Sequence, residues 1–346
     1  MIETFIPQLR DRQELTDAQV RDAVASLADP AVAAVVKAEF LTALAQKGET
    51  PAEITAFARA LREKSCPLTL DSATRAGEIL DIVGTGGDRL GTINISTTAA
   101  LICAAAGVTV AKHGNRAVTS QAGSADVLEA LGIRIDLLPS AAAAMLRERG
   151  FAFLFAPNYH PAFQHIGPAR RLCAGQGQRT VFNLLGPLLN PARPSVMLMG
   201  VPRPELCEPL AMVLQSLGVR RAMVVCGQAG TAGHLDELST LGVNTIAEFY
   251  QERGFTASTT APEQFPLQPA ILDDLTGGDK LANAATVRRI LSGAEQGPKR
   301  DAVLLNAAAA LFVAGKTKSQ AEGWDLAGET IDSGRAAAKL AELARG

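Results

Sequence analysis

The stretch Ile79-Leu80-Asp81-Ile82-Val83-Gly84-Thr85-Gly86-Gly87-Asp88 sets a glycine turn directly after a short apolar run and ahead of a helix-like segment from Ile95 to Ala106. Strand, glycine turn and helix in that order are the architecture of an anion site. Glycine lets backbone N–H groups approach phosphate oxygens, and a helix N-terminus adds unpaired donors carrying partial positive charge. The turn is neither of the two common phosphate motifs, because Arg89 stands where GxGxxG needs its third glycine and no GK[ST] follows. Taken alone, a plain strand-to-helix turn explains the stretch equally well.

Outward from this point the same alternation continues. Short apolar runs at Val108 to Ala111, Phe151 to Phe155, Val196 to Val201 and Ala222 to Cys226 are separated by helical patterns. Two of those helices read as Ala125 to Leu131, opened by Ser124 and closed by Gly132, and Ala141 to Arg149, opened by Ser140 and closed by Gly150. Strand alternating with helix implies an α/β fold with a mostly parallel central sheet covered by helices on both faces. Helical patterns return at Lys280 to Leu291, Asp301 to Val313 and Ala336 to Ala344.

The first seventy residues differ in texture. Thr16-x-x-Gln19 and Thr50-Pro51-x-Glu53 are capping boxes, the second with Pro at the first helical position, and Gly48 suits a helix stop. Val32, Val35, Val36, Phe40, Leu41 and Leu44 form one apolar stripe between them. A small helical domain ending near Cys66-Pro67 is expected.

Of 346 residues, 47% are hydrophobic but only 4% aromatic, so Ala, Val, Leu and Ile build the core. A formal charge of -2 gives no global field for nucleic acid or an anionic membrane, and any anionic ligand must be gripped locally. Five widely spaced cysteines, Cys66, Cys103, Cys173, Cys207 and Cys226, argue against a disulfide framework or zinc site. Glu3 and Asp11 make the N-terminus unlike a signal peptide, so a cytoplasmic location is expected. The uncharged run Leu90 to Ala111 is interrupted by Asn94, Ser96, Thr97 and Gly107 and reads as soluble core.

Several polar groups can share the glycine turn's neighbourhood. Thr92, Asn94, Ser96 and Thr97 stand at the helix entry, where any one of them serves equally as a cap. Lys112, His113, Asn115 and Arg116 follow the next strand, with Thr119, Ser120 and Ser124 beyond. Cations at a parallel strand's C-terminal end lie where open α/β sheets bind ligands; the bland reading is a solvated loop. His113 reads as a structural hydrogen-bonder and is given no proton transfer. The doublet Asp236-Glu237 suits Mg²⁺, which takes a few carboxylates and completes its shell with water and substrate phosphates; without a phosphate loop nearby, an exposed acidic pair is the simpler reading. Tyr159-His160-Pro161 and Arg170-Arg171 make another polar cluster, or a basic helix face.

In order, DIVGTGGD, INIST, KHGNR, GSADVLEALG, FLFAPNYHPAF, RTVFNLLGPLLNP, HLDELS and LLNAAAAL resemble the anthranilate phosphoribosyltransferase family over almost the whole chain. The resemblance implies transfer of phosphoribose from phosphoribosyl pyrophosphate to the amino group of anthranilate in tryptophan biosynthesis, with Mg²⁺. It implies a phosphoribosyl pyrophosphate site of Gly84, Gly87, Asp88, Thr92, Asn94, Ile95, Ser96, Thr97, the run Lys112, His113, Gly114, Asn115, Arg116, Ala117, Val118, Thr119 and Ser120, and Ser124. Ser96, Asp236 and Glu237 match the metal positions. Gly84, Asn115, His160, Arg170 and Pro187 match anthranilate contacts, and Lys112, Asn115 and Arg170 are the expected catalytic set. The family pattern further implies a helical domain over 1–70, joined by part of 165–190, a phosphoribosyl pyrophosphate-binding domain over 71–346, and a homodimer formed through the helical domain, with neither nucleic acid nor membrane as partner.

Three positions depart from the pattern. Ile93 replaces a Phe and Leu189 a Thr, both read as packing changes, and Leu172 to Gln178 is about three residues longer than usual. Counting forward from His160 selects Arg170 as the carboxylate contact; Arg171 stays open as the alternative. Two rival functions also stand: a pyrimidine nucleoside phosphorylase, which has no obvious use for Asp236-Glu237, and a non-catalytic nucleic-acid-binding relative, against which the charge of -2 argues.

Overall fold

A computed structural model describes residues 2–117, 121–251 and 254–345. Both capping boxes form. Thr16 Oγ1 accepts from Gln19 N at 3.3 Å while Gln19 Oε1 accepts from Thr16 N at 2.8 Å, opening helix Asp17–Ala28. Thr50 and Glu53 make the same exchange ahead of helix Pro51–Glu63. The Glu53 carboxylate also takes Leu15 N at 2.9 Å and Lys47 Nζ at 2.7 Å, so one buried side chain ties three segments. Between these helices, Ala34–Lys47 stops at Gly48, whose φ of 92° suits glycine.

The stripe on that middle helix is corrected by the structure. Val35 is 69% exposed, and the inward face runs through Lys37, Phe40, Leu41 and Leu44. Those positions follow the i, i+3, i+4, i+7 spacing of one helical face. Lys37, 1% exposed, is tolerated inside because its Nζ donates to the Asp29 carbonyl at 2.7 Å and the His165 carbonyl at 3.0 Å.

Eight strands follow: β1 (Ile79–Gly84), β2 (Thr109–Gly114), β3 (Phe151–Phe155), β4 (Val196–Gly200), β5 (Arg221–Gln228), β6 (His234–Leu235), β7 (Asn244–Tyr250) and β8 (Gly254–Thr260). They form one sheet in the order β3-β2-β1-β4-β5-β7-β8, with β6 pairing β5. The first five are parallel, as the alternating pattern predicts, while β6, β7 and β8 add antiparallel pairings that the pattern does not announce. The reason lies in their composition: β8 is the largely exposed edge GFTASTT, with almost no apolar signal.

Alternate side chains of the sheet enter two cores, as a strand's period of two requires. Leu198 and Val225 join the core containing Leu101, Phe153 and Leu305, whereas Met199 and Val224 join that of Leu27, Phe40 and Phe57. The N-terminal helices therefore close one sheet face directly. Phe40 and Phe57 are wholly buried there, each worth roughly 1.5–3 kcal/mol relative to exposure.

Helix boundaries shift slightly from expectation. The helix expected from Ala125 runs Ser124–Ala130 with Gly123 as N-cap, because Asp126 rather than Ser124 takes the Gly123 N–H. Helices Pro139–Arg149 and Pro298–Val313 each start earlier, at a proline in the first turn. Helix Gln320–Asp332 is opened by Ser319, which accepts from Glu322 N at 3.1 Å. The longer Leu172 to Gln178 stretch is absorbed by helix Phe163–Gly175 and a reversal at Gly177, where φ is 70° and Gln178 N returns to the Cys173 carbonyl at 2.9 Å.

Candidate active site

From β1 the chain passes to β2 and β3 on one side and then returns to β4 on the other. The order thus reverses between β1 and β4, and the crevice beyond their C-terminal ends is where such sheets take ligands. Gly84 and Gly200 face each other across that point in register. A Cβ on Gly84 would meet Asp236 Oδ2 at 2.1 Å, and one on Gly200 would meet the Asp236 carbonyl oxygen at 1.6 Å. Gly227 on β5 does the same for Ser239, at 2.5 Å. Three strand-end glycines therefore make a groove in which the acidic segment lies.

That segment is held on both sides. Asn306, fully buried in helix Pro298–Val313, accepts from Leu238 N and donates to the Leu238 carbonyl, each at 2.9 Å; Asn244 Oδ1 accepts from Ser239 N at 2.6 Å. This gives the LLNAAAAL motif a physical role. So fixed, Asp236 Oδ2 accepts from Gly86 N at 2.7 Å and Glu237 Oε1 from Ser96 N at 3.2 Å. Glu237 thereby caps helix Ile95–Ala105 from a distant part of the chain, where Asn94, the local candidate, makes no side-chain cap.

Burial, and then the charge of Asp88, push the Asp236 carboxyl up to about 7. Burial and Asp236 push Glu237 up to about 8, against the opposing pull of Lys112. Among the described residues neither carboxylate forms an ion pair. Crowded, partly desolvated oxygens without a cation suit a hard divalent ion, and Mg²⁺ fits these residues. Among the described residues no group of three or more His, Cys, Asp or Glu can hold a metal, so Asp236, Glu237 and the Ser96 hydroxyl would leave the rest of its shell to water and phosphate.

Lys112 is 2% exposed on β2, and its Nζ donates to the Ile82 carbonyl at 2.5 Å and to Ser96 Oγ at 3.4 Å. Burial lowers its pKa while Asp81 and Glu237 raise it. Asp81, fully buried on β1, is pushed up to about 6 by burial and accepts from Asn190 Nδ2 at 2.8 Å. Asp81, Gly200, Asn283 and Asn306 join this site without a local sequence signal that marks them for it. Asn283 Nδ2 donates to Asn94 Oδ1 at 2.9 Å, and Asn94 Nδ2 to the Ala122 carbonyl at 3.2 Å, joining the helix entry to the loop after β2. Thr92 bridges to Thr276, which steadies the same entry.

Arg116 turns away from the crevice, donating to Asp126 at 2.9 Å and to both oxygens of Glu129 at 3.0 and 2.9 Å. Ser124 Oγ donates to the Asn115 carbonyl at 3.4 Å, and Ala117 N to Asp126 Oδ2 at 2.9 Å, closing the loop onto its helix. Val118, Thr119 and Ser120 lie outside the described residues.

A row of rings leads from β2 toward the helical side: His113 Nε2 lies 3.2 Å from His160 Nε2, and His160, Phe163 and Phe182 follow edge to face at 5.6 and 5.5 Å between centroids. Burial depresses His113 to about 3 and His160 to about 4, so both are neutral near pH 7. At the row's end the Arg170 guanidinium carbon lies 5.5 Å from the Phe182 centroid, half-buried, while Arg171 is exposed. Pro187 is buried beside the row's backbone partners, Gly186 and Leu189. Ile93 and Leu189 are both buried, as packing positions should be.

Residues 3–65 match the helical bundle domain, and residues 76–337 the a/b domain, of a glycosyl transferase family. An anthranilate phosphoribosyltransferase of Geobacter sulfurreducens is 45% identical, covering 99% of this chain and 98% of its own length. The crystal structure of anthranilate phosphoribosyltransferase from Thermus thermophilus is 44% identical and superposes with a TM-score of 0.88, over 98% of each chain. The enzyme from Saccharomyces cerevisiae, solved in complex with PRPP and Mg, gives a TM-score of 0.88 at 27% identity, over 99% of this chain and 97% of that one. With near-complete coverage and this geometry, the chain belongs to the anthranilate phosphoribosyltransferase family.

Proposed function

We propose that this protein transfers the 5-phosphoribosyl group of phosphoribosyl pyrophosphate to the amino nitrogen of anthranilate, releasing diphosphate, in tryptophan biosynthesis. The observation that carries the reading is the meeting of the glycine turn, Ser96, Lys112 and the Asp236-Glu237 pair at the sheet's reversal point. Asp236, Glu237 and Ser96 would hold Mg²⁺, which would supply positive charge to the diphosphate. The N–H groups of Gly87 and Asp88, which have no partner among the described residues, bind the same group, and Lys112 adds its charge from beneath through Ser96. Arg170, held against Phe182, orients the anthranilate carboxylate; the neutral His113–His160 pair, with Pro187, lines the approach without taking a proton.

In the reaction the bond from ribose C1 to oxygen breaks with its electrons passing to diphosphate, the arylamine lone pair forms the new C–N bond, and the amine proton leaves to water. An arylamine is neutral near pH 7, so no strong base is required. Catalysis is then positioning plus stabilisation of the leaving charge.

The same reading divides the chain into a helical unit, 1–70 with part of 165–190, and a binding unit over 71–346. Packing of helix Phe163–Gly175 on the N-terminal helices supports that division, through Ile166 and Cys173. It pairs two copies through the helical unit, where Val35 and Leu172 are exposed, and places the protein in the cytoplasm, where five free cysteines are at home. Among the described residues no helix is long and apolar enough to cross a membrane.

The test is to incubate the protein with phosphoribosyl pyrophosphate, Mg²⁺ and anthranilate and identify the product by mass. Phosphoribosyl anthranilate supports the assignment. Phosphate-dependent cleavage of a pyrimidine nucleoside, with anthranilate untouched, overturns it.

A further inference from the structure

Arg179 lies between helix Phe163–Gly175 and helix Phe182–Leu185, yet its side chain crosses to the glycine turn, where Nη2 donates to the Gly87 carbonyl at 3.1 Å. A Cβ on Gly87 would stand 3.1 Å from Nη2, 3.7 Å from Cζ and 3.9 Å from Nη1, so the guanidinium lies directly against this glycine. Gly87 also has a φ of 93°, which disfavours any other residue there.

Three of the other basic side chains around the crevice are committed, and Arg89, on the turn itself, is exposed. Lys112 is buried on Ile82 and Ser96, Arg116 is forked onto Glu129, and Arg170 lies against Phe182. Arg179 is exposed and forms no ion pair among the described residues. The glycine turn that it touches adjoins Asp88, Asp236 and Glu237, three acids in a site that receives a polyanion. A single divalent ion does not balance that charge, and a guanidinium is suited to phosphate oxygens because its planar donors bind two at once.

We propose that Arg179 is a further substrate-binding residue, which exchanges the Gly87 carbonyl for the diphosphate of phosphoribosyl pyrophosphate and stabilises the charge growing there as the C1–oxygen bond breaks. This rests on the reaction proposed above. Arg179 neither gains nor loses a proton in the step; the bond's electrons go to diphosphate and the amine proton to water.

The experiment measures inorganic pyrophosphate binding by calorimetry, with Mg²⁺ present and absent, alongside steady-state kinetics of the wild type and of Arg179→Ala, Arg179→Gln and Arg179→Lys. Arg179→Ala and Arg179→Gln should weaken pyrophosphate binding and raise the KM for phosphoribosyl pyrophosphate about 10- to 100-fold. The KM for anthranilate should stay within about twofold, and Arg179→Lys should recover part of the loss. Glutamine is the decisive variant, since it can still donate to Gly87 but carries no charge. If it binds pyrophosphate as the wild type does, Arg179 is only a tether for the turn and the proposal is wrong. Failure of the wild type to consume anthranilate, with pyrophosphate still bound in an Arg179-dependent way, would overturn the acceptor reaction but not this site; a wild type that binds no pyrophosphate would overturn the site as well.

Discussion

Gly200→Ala adds one methyl group directly beneath the Asp236-Glu237 segment, and its effect follows from the groove beyond β4. The new Cβ would sit 1.6 Å from the Asp236 carbonyl oxygen and 2.3 Å from its carbon, both backbone atoms. Reaching even the 3.0 Å below which Cβ contacts essentially never fall needs a shift of about 1.4 Å. No rotamer change can supply it. Asn306 and Asn244 anchor the segment's far side, so the displacement falls on Asp236 and Glu237 themselves. Misplacement of about 1 Å in a positioned group costs on the order of 10²-fold in rate, and overpacking costs roughly 1–3 kcal/mol. The variant should therefore lose about two orders of magnitude in kcat, need more Mg²⁺ for half-maximal activity, and melt a few degrees lower. Gly328→Ala is the control, because a Cβ there meets nothing within 4 Å and alanine is the better helix former by about 1 kcal/mol. It should leave activity unchanged and raise the melting temperature slightly. Wild-type kcat and Mg²⁺ dependence in Gly200→Ala would refute the idea that these glycines exist to seat the acidic segment.

Asp236→Asn combined with Glu237→Gln should abolish Mg²⁺-dependent turnover while the fold is kept, read by activity and thermal melting together. The same pair gives a pH dependence: their pKa values, raised to about 7 and 8, mean that the stability they contribute is full below about pH 4 and is lost as pH rises through those values. Metal-free melting temperature should thus fall between about pH 4 and pH 8, less so in the double variant, and Mg²⁺ should raise it most at the upper end. Arg170→Ala should raise the KM for anthranilate far more than that for phosphoribosyl pyrophosphate, and Arg171→Ala should change neither; the reverse result would place the carboxylate on Arg171. Lys112→Met should weaken phosphoribosyl pyrophosphate binding in calorimetry, because the charge that Lys112 lends through Ser96 is lost.

Much of this architecture is legible in the chain because its signals are local. The capping boxes at Thr16 and Thr50, the five parallel strands and the glycine turn each declare themselves within a few residues. What escaped is long-range. Nothing near Ser96 shows that its helix is capped by Glu237, nor does the run of alanines around Asn306 reveal that its amide grips Leu238. Lys37 hides from an apolar-stripe reading because its partners are backbone carbonyls, one of them far along the chain at His165. Gly200 reads as the unremarkable end of a strand until the strand order places it opposite Gly84. Arg170 and Arg171 are equivalent as letters and are separated only by which face of the helix meets Phe182.

The central claim is that one crevice joins phosphoribosyl pyrophosphate to anthranilate with the aid of Mg²⁺. It is tested most directly by following anthranilate fluorescence and released diphosphate in the same reaction, with and without a chelator. Loss of anthranilate and appearance of diphosphate should be equimolar, both stopped by chelation and both restored by Mg²⁺. Diphosphate released while anthranilate fluorescence holds steady, or turnover that ignores the chelator, would contradict it.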